Sequence, residues 1–89
     1  MRGRLIAFEG LDQSGKATQS RRLREWFEAR GRLVESLAFP DYATPIGAEI
    51  WKGLHGERDF GPDTLQLLLI ANRHEWKPQI QEWLAAGRV

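Results

Sequence analysis

The sequence contains no cysteine, which excludes disulfide bonds, thiolate metal ligands and a cysteine nucleophile from these residues. It also has little excess charge, because 13 Lys and Arg against 12 Asp and Glu leave a net charge of +1. Such a balance argues against a basic surface for nucleic acid or acidic lipid. The longest strongly apolar run covers residues 67–71, far short of the ~20 residues that cross a bilayer. We expect a cytoplasmic protein with neither nucleic acid nor membrane as partner.

The first 40 of the 89 residues have the pattern of a strand, a loop, a helix and a second strand. Leu5–Phe8 is a short apolar run, typical of a strand buried on both faces. A helical pattern begins at Lys16, and Gly31 suits the left-handed residue that ends a helix. A second apolar segment, 33–39, stops at Pro40. This order predicts a βαβ unit with two parallel strands and a right-handed crossover.

Three more helices are predicted in the second half of the chain. Thr44–Pro45 and Pro62 are typical helix starts, and Pro78 breaks or kinks a helix. Leu65–Trp76 is apolar over more than half its circumference, which predicts a central, buried helix. Arg88–Val89 reads as the start of another strand. Because a parallel sheet needs several strands with both faces covered, we interpret residues 1–89 as the N-terminal part of a single α/β domain.

One motif carries chemistry, since residues 10–16 match G-x-x-x-x-G-K between a predicted strand and a predicted helix. The backbone N–H groups of such a loop surround a phosphate, and Lys16 supplies charge to the β- and γ-phosphates. The alternative is a plain glycine turn. Ala17 occupies the position where Ser or Thr usually ligates Mg²⁺, and Thr18 points about 100° away. Water or Asp12 would then complete the metal shell, which leaves the metal ligands unknown.

Four segments resemble the N-terminal part of thymidylate kinases in order and spacing. The first, FEGLDQSGKATQ, is similar to that family's FEG-x-D-x-x-GK-[ST]-T-Q, and LLLIANR is similar to its LLFxANR helix. The resemblance implies a P-loop NTPase-type three-layer αβα fold with a parallel sheet, of which the DRY strand and the lid would follow Val89. It also implies Mg²⁺-dependent transfer of the ATP γ-phosphoryl group to dTMP, and a homodimer of the full-length protein. The resembling segments are Phe8–Gln19, Phe39–Gly47, Leu67–Arg73 and Ile80–Gly87.

The same resemblance assigns roles to individual residues. Lys16 and Asp12 would be catalytic, with Asp12 near the acceptor sugar hydroxyl or the metal. Arg73 would hydrogen-bond thymine, whereas its helical pattern alone favours a cation at a helix end. The implied ATP-binding residues are Gly10, Leu11, Asp12, Gln13, Ser14, Gly15, Lys16, Ala17 and Thr18. The implied acceptor-binding residues are Asp12, Phe39, Tyr42, Leu54, Leu69 and Arg73.

Two other functions stay open at this point. Leu69 replaces the Phe that stacks on thymine in the resembling family, so another nucleotide is an alternative acceptor. Ala17 lacks the usual metal-binding hydroxyl, so a nucleotide-binding module without turnover is the second alternative.

Overall fold

The computed structural model describes residues 2–10 and 15–89, which contain four α-helices. The helices are α1 (Lys16–Glu28), α2 (Pro45–Leu54), α3 (Pro62–Glu75) and α4 (Lys77–Ala85). The chain divides into two compact units. Unit 1 comprises Met1–Ser36 with Gln81–Val89, and unit 2 comprises Leu37–Ile80. No helix in these described ranges is long and apolar enough to cross a membrane.

Helix α1 begins at Lys16 and is followed by a glycine turn, as the sequence predicts. Gly15 precedes it with φ 93°, a left-handed conformation that glycine adopts without steric cost. The helix ends at Glu28, and Gly31 follows with φ 78°. Both glycines therefore have a backbone conformation that a residue with a Cβ rarely adopts.

The predicted parallel sheet is not confirmed, because no residue in 2–10 or 15–89 forms an assigned strand. Val89 nevertheless makes the two bonds of a parallel pair with the second apolar segment: its N–H donates to Leu33 O, and Glu35 N–H donates to Val89 O, both at 2.9 Å. Arg4 N–H donates to Arg88 O at 3.2 Å. Both predicted strands thus form backbone hydrogen bonds to residues 88–89.

Unit 2 is built from helices α2 and α3, which pack against each other. Thr44 caps α2, since its hydroxyl oxygen accepts a hydrogen bond from Gly47 N–H at 2.9 Å, and Pro45 is the first helical residue. Ile50 is fully buried at this contact. Pro62 starts α3, so both proline-marked starts are confirmed. Pro78 lies in the first turn of α4, where a proline is tolerated.

Helix α3 is not the buried helix that its composition predicts. Leu67 is 66% exposed and Ile70 is 48% exposed, whereas Asn72 is its one buried residue. The physical reason is that α2 is the one helix of the described chain in contact with α3, so a single face is covered. Asn72 is buried beside the segment that precedes α2, where Asp41 and Thr44 bond to its side chain.

Candidate functional site

The phosphate-loop motif lies in unit 1, and the structure describes part of it. Leu11, Asp12, Gln13 and Ser14 lie outside the described residues. Gly15 is required by its positive φ and not by crowding, because a Cβ there would meet nothing within 4 Å. Lys16 is half-buried as the first residue of α1.

The start of helix α1 has the polarity that an anion needs. A helix N-terminus carries a partial positive charge from its unpaired N–H groups. Its first turn contains no Asp or Glu to compete for that charge, and Lys16 adds a full positive charge there. A helix start of this polarity favours an anion, and the assignment of the ATP phosphates to it stays a prediction.

The described residues do not fit a protein-held Mg²⁺ ion. The side chain of Ala17 has no ligand atom, and the described part of the chain holds no group of three His, Cys, Asp or Glu residues that could bind a metal. Mg²⁺ in phosphoryl-transfer sites is often held chiefly by substrate phosphates and water.

A cavity of about 560 Å³ lies within unit 2, between α2, α3 and the segment that precedes α2. Four of the predicted acceptor-binding residues line it: Phe39, Leu54, Leu69 and Arg73. Its volume is that of a small-molecule pocket, and apolar side chains form most of its wall. The full lining consists of Phe39, Pro40, Ile50, Leu54, Leu65, Gln66, Leu69, Ile70 and Arg73.

Two of the predicted acceptor-binding residues are not part of this lining. Tyr42 is 43% exposed and lies outside the cavity wall. Asp12 lies outside the described residues. A role for Tyr42 at the acceptor phosphate thus stays a prediction.

Arg73 and Phe39 form the charged corner of the cavity. The guanidinium carbon of Arg73 lies 5.5 Å from the centroid of the Phe39 ring, within cation–π range. The other polar side chain of the wall is Gln66, which the sequence interpretation missed. Its spacing from Leu69 and Arg73, three and seven residues along α3, was the available signal, since such residues share a helix face.

A hydrogen-bond cluster around the buried Asn72 lies next in sequence to wall residues, and the sequence interpretation missed it as well. The Asn72 side chain is fully buried. Its Oδ1 accepts from Asp41 N–H at 2.8 Å, and its Nδ2 donates to Asp41 O at 3.1 Å. The same Nδ2 lies 3.0 Å from Thr44 Oγ1 and 2.9 Å from Glu75 Oε1. We call Asp41, Thr44, Asn72, Glu75 and Trp76 the Asn72 cluster.

Further hydrogen bonds of the Asn72 cluster join Glu75 and Trp76 to residues 41–46. The Thr44 hydroxyl donates to Glu75 Oε1 at 2.6 Å, and Ile46 N–H donates to Glu75 Oε2 at 3.3 Å. The indole N–H of Trp76 donates to Asp41 Oδ2 at 2.8 Å. Asn72 therefore bonds to the backbone of Asp41, and Trp76, the C-cap of α3, bonds to the Asp41 carboxylate.

The electrostatics of Glu75 follow from these bonds. Desolvation by its surroundings acts to raise the pKa of this carboxyl group, and so does the nearby charge of Asp41. Hydrogen bonds from Thr44, Asn72 and the Ile46 N–H stabilise the ionised form and outweigh both effects, so the pKa of Glu75 lies below its usual value. Glu75 is thus an ionised acceptor at neutral pH.

Comparison with known proteins gives one consistent result. The family model described as thymidylate kinase matches residues 8–89. Over 86 residues, 97% of this chain, the sequence is 43% identical to thymidylate kinase of Homo sapiens and 42% identical to that of Plasmodium falciparum. It is 38% identical to thymidylate kinase of Danio rerio over the same share. In each case the chain spans 41% of the length of the relative.

Proposed function

Because the chain belongs to the thymidylate kinase family, we propose that the full protein transfers the γ-phosphoryl group of ATP to dTMP and releases dTDP and ADP. The observation that carries this proposal is the cavity of unit 2. Its wall includes Phe39, Leu54, Leu69 and Arg73, four residues that the sequence assigns to the acceptor nucleotide.

The chemistry of the cavity suits a thymine base. Arg73 has donors only, and thymine offers an acceptor at O4. Cytosine has an amino group at that position, which would face the guanidinium with donors on both sides. The Phe39 ring and the Leu69 side chain supply apolar contact for the base. A hydrogen-bonding site discriminates against a base that leaves its donors unpaired.

The donor nucleotide is proposed to bind at the phosphate loop. Lys16 and the backbone N–H groups at the start of α1 would bind the β- and γ-phosphates of ATP, and Mg²⁺ would arrive bound to those phosphates and to water. A phosphate oxygen of dTMP attacks the γ-phosphorus, the bond from that phosphorus to the β–γ bridging oxygen breaks, and ADP leaves. Lys16 stabilises the charge on the transferring group. A cytoplasmic location and a homodimer stay predictions.

The test is a panel of nucleoside monophosphates offered to the full protein with ATP, with ADP release as the readout. We expect dTMP and dUMP to be substrates and dCMP to be poor. Arg73→Ala should cost about 2 kcal/mol or more in kcat/KM for dTMP, because a charged hydrogen bond is lost. The same variant should have a smaller ratio of kcat/KM for dTMP to kcat/KM for dCMP.

The controls separate the alternatives. A panel in which another monophosphate exceeds dTMP would favour the alternative acceptor that Leu69 suggests. ATP binding without turnover of any monophosphate would favour the binding module that Ala17 suggests. If Arg73→Ala leaves the ratio of kcat/KM for dTMP to kcat/KM for dCMP unchanged, Arg73 does not recognise the base. It would then be a cation that interacts with the end of a helix.

A further inference from the structure

We propose that Asn72 is a positioning residue, whose buried amide ties the backbone of Asp41 to helix α3 and thereby sets the separation of Phe39 and Arg73 in the cavity of unit 2. The inference rests on the proposed function, because it concerns the acceptor site of that reaction. It adds a residue that touches neither the cavity nor the base.

The first step of the argument is that Asn72 holds Asp41 at two points. One amide accepts from the N–H and donates to the C=O of the same residue, at 2.8 and 3.1 Å. Two bonds from one rigid planar group fix the orientation of a peptide segment as well as its distance. The indole of Trp76 adds a third bond, to the Asp41 carboxylate.

The second step is that both ends of this connection lead directly into the cavity wall. Phe39 lies two residues before Asp41, and Pro40 between them is itself a wall residue with a restricted φ. Arg73 follows Asn72 on α3. The two hydrogen bonds from the Asn72 amide to Asp41 thus lie within two residues of both side chains that make the 5.5 Å contact, Arg73 and Phe39.

The third step is that the amide cannot be replaced by another polar group of the same size. Its Oδ1 must accept, and its Nδ2 must donate towards acceptors on Asp41, Thr44 and Glu75. An Asp side chain at this position keeps the oxygen that accepts from Asp41 N–H. Its second oxygen would replace Nδ2 and face oxygen atoms of Asp41, Thr44 and Glu75. Asn72→Asp therefore breaks the connection with almost no change in volume.

The test measures steady-state kinetics of the full protein with dTMP, dCMP and ATP. We expect Asn72→Asp to raise the KM for dTMP about tenfold and to narrow the dTMP preference over dCMP, while the KM for ATP stays within about twofold. In an Arg73→Ala background, Asn72→Asp should raise the KM for dTMP less than about threefold. The effects of the two substitutions are not additive if Asn72 acts through Arg73.

A second pair of variants covers the case in which Asn72→Asp does not fold. Trp76→Phe removes the indole bond to Asp41 and keeps an aromatic ring, and Trp51→Phe on α2 is its matched control, since that indole has no bond to Asp41. We expect the KM for dTMP to rise about threefold in Trp76→Phe and to stay unchanged in Trp51→Phe.

The outcomes separate this inference from the proposed function. A wild-type protein that phosphorylates no member of the panel overturns the proposed function and this inference with it. A wild-type protein active on dTMP whose Asn72→Asp variant keeps the same KM for dTMP overturns the inference alone. Full additivity of Asn72→Asp with Arg73→Ala also overturns it, since Asn72 would then act on stability and not through Arg73.

Discussion

Gly47 is the residue whose substitution should damage unit 2 most clearly. It is buried in the first turn of α2. A Cβ at this position would overlap the carbonyl oxygen of Asp41, and it would lie 2.7 Å from the Asp41 carbonyl carbon and 2.8 Å from Thr44 Oγ1. Because the obstacle is backbone that Asn72 already holds, the loop must move for Gly47→Ala to be accommodated.

The magnitude of this effect follows from three contributions. Alanine gains about 1 kcal/mol over glycine in helix propensity. Overpacking a rigid site costs about 1–3 kcal/mol, and a weakened bond from Asn72 to the Asp41 carbonyl costs about 1 kcal/mol. We expect Gly47→Ala to lower the free energy of unfolding by about 1–3 kcal/mol.

The assay is urea unfolding of the full proteins, compared at equal m-value. Gly53→Ala on the same helix is the control: its Cβ would lie 2.8 Å from Cδ2 of Phe60, a side chain that can rotate away. This control should change stability by less than about 1 kcal/mol, because it keeps the propensity gain. A Gly47→Ala protein as stable as the Gly53→Ala protein would refute the reasoning.

Three other predictions concern charge and metal. Lys16→Ala should lower kcat by orders of magnitude with little effect on urea stability, and a variant with more than about half the wild-type kcat would contradict its role. Ala17→Ser should lower the Mg²⁺ concentration for half-maximal rate, and an unchanged Mg²⁺ titration would mean that ATP and water already complete the metal shell. The lowered pKa of Glu75 stabilises the fold above the ordinary carboxyl pKa of about 4.3, and that contribution is lost as pH falls through the lower folded-state pKa. Glu75→Gln should therefore flatten the fall in the free energy of unfolding across this acid range; parallel curves for the variant and the wild type would reject the assignment.

The sequence predicts helix starts and glycine turns well, because residues adjacent in the chain determine them. A threonine followed by proline starts α2 because the hydroxyl caps the helix and proline needs no N–H partner there. Gly31 has the positive φ that its place after α1 predicts, because glycine adopts that conformation far more readily than other residues. The side chains of Phe39, Leu54, Leu69 and Arg73 line one cavity, while their role in binding an acceptor nucleotide stays a prediction.

The features that sequence missed depend on partners far along the chain. Asn72 reads as an ordinary polar residue until Asp41, 31 residues earlier, supplies its two bonds. The apolar circumference of α3 predicts burial, but only α2 covers it among the described helices. Similarly, the apolar runs 5–8 and 33–39 specify a strand-like composition, while strand pairing needs a neighbour that composition cannot identify.

The connection between Asp41 and α3 also has a consequence for the order of folding. Unit 1 is discontinuous, and its hydrogen bond from Arg32 to Gly87 closes a loop of 55 residues. Once Trp76 and Asp41 are bonded, the free chain between Arg32 and Gly87 shortens to about 20 residues, which lowers the entropic cost of closure by about 0.9 kcal/mol. Because the residues of unit 2 are continuous in sequence, we expect unit 2 to form before the hydrogen bond from Arg32 to Gly87.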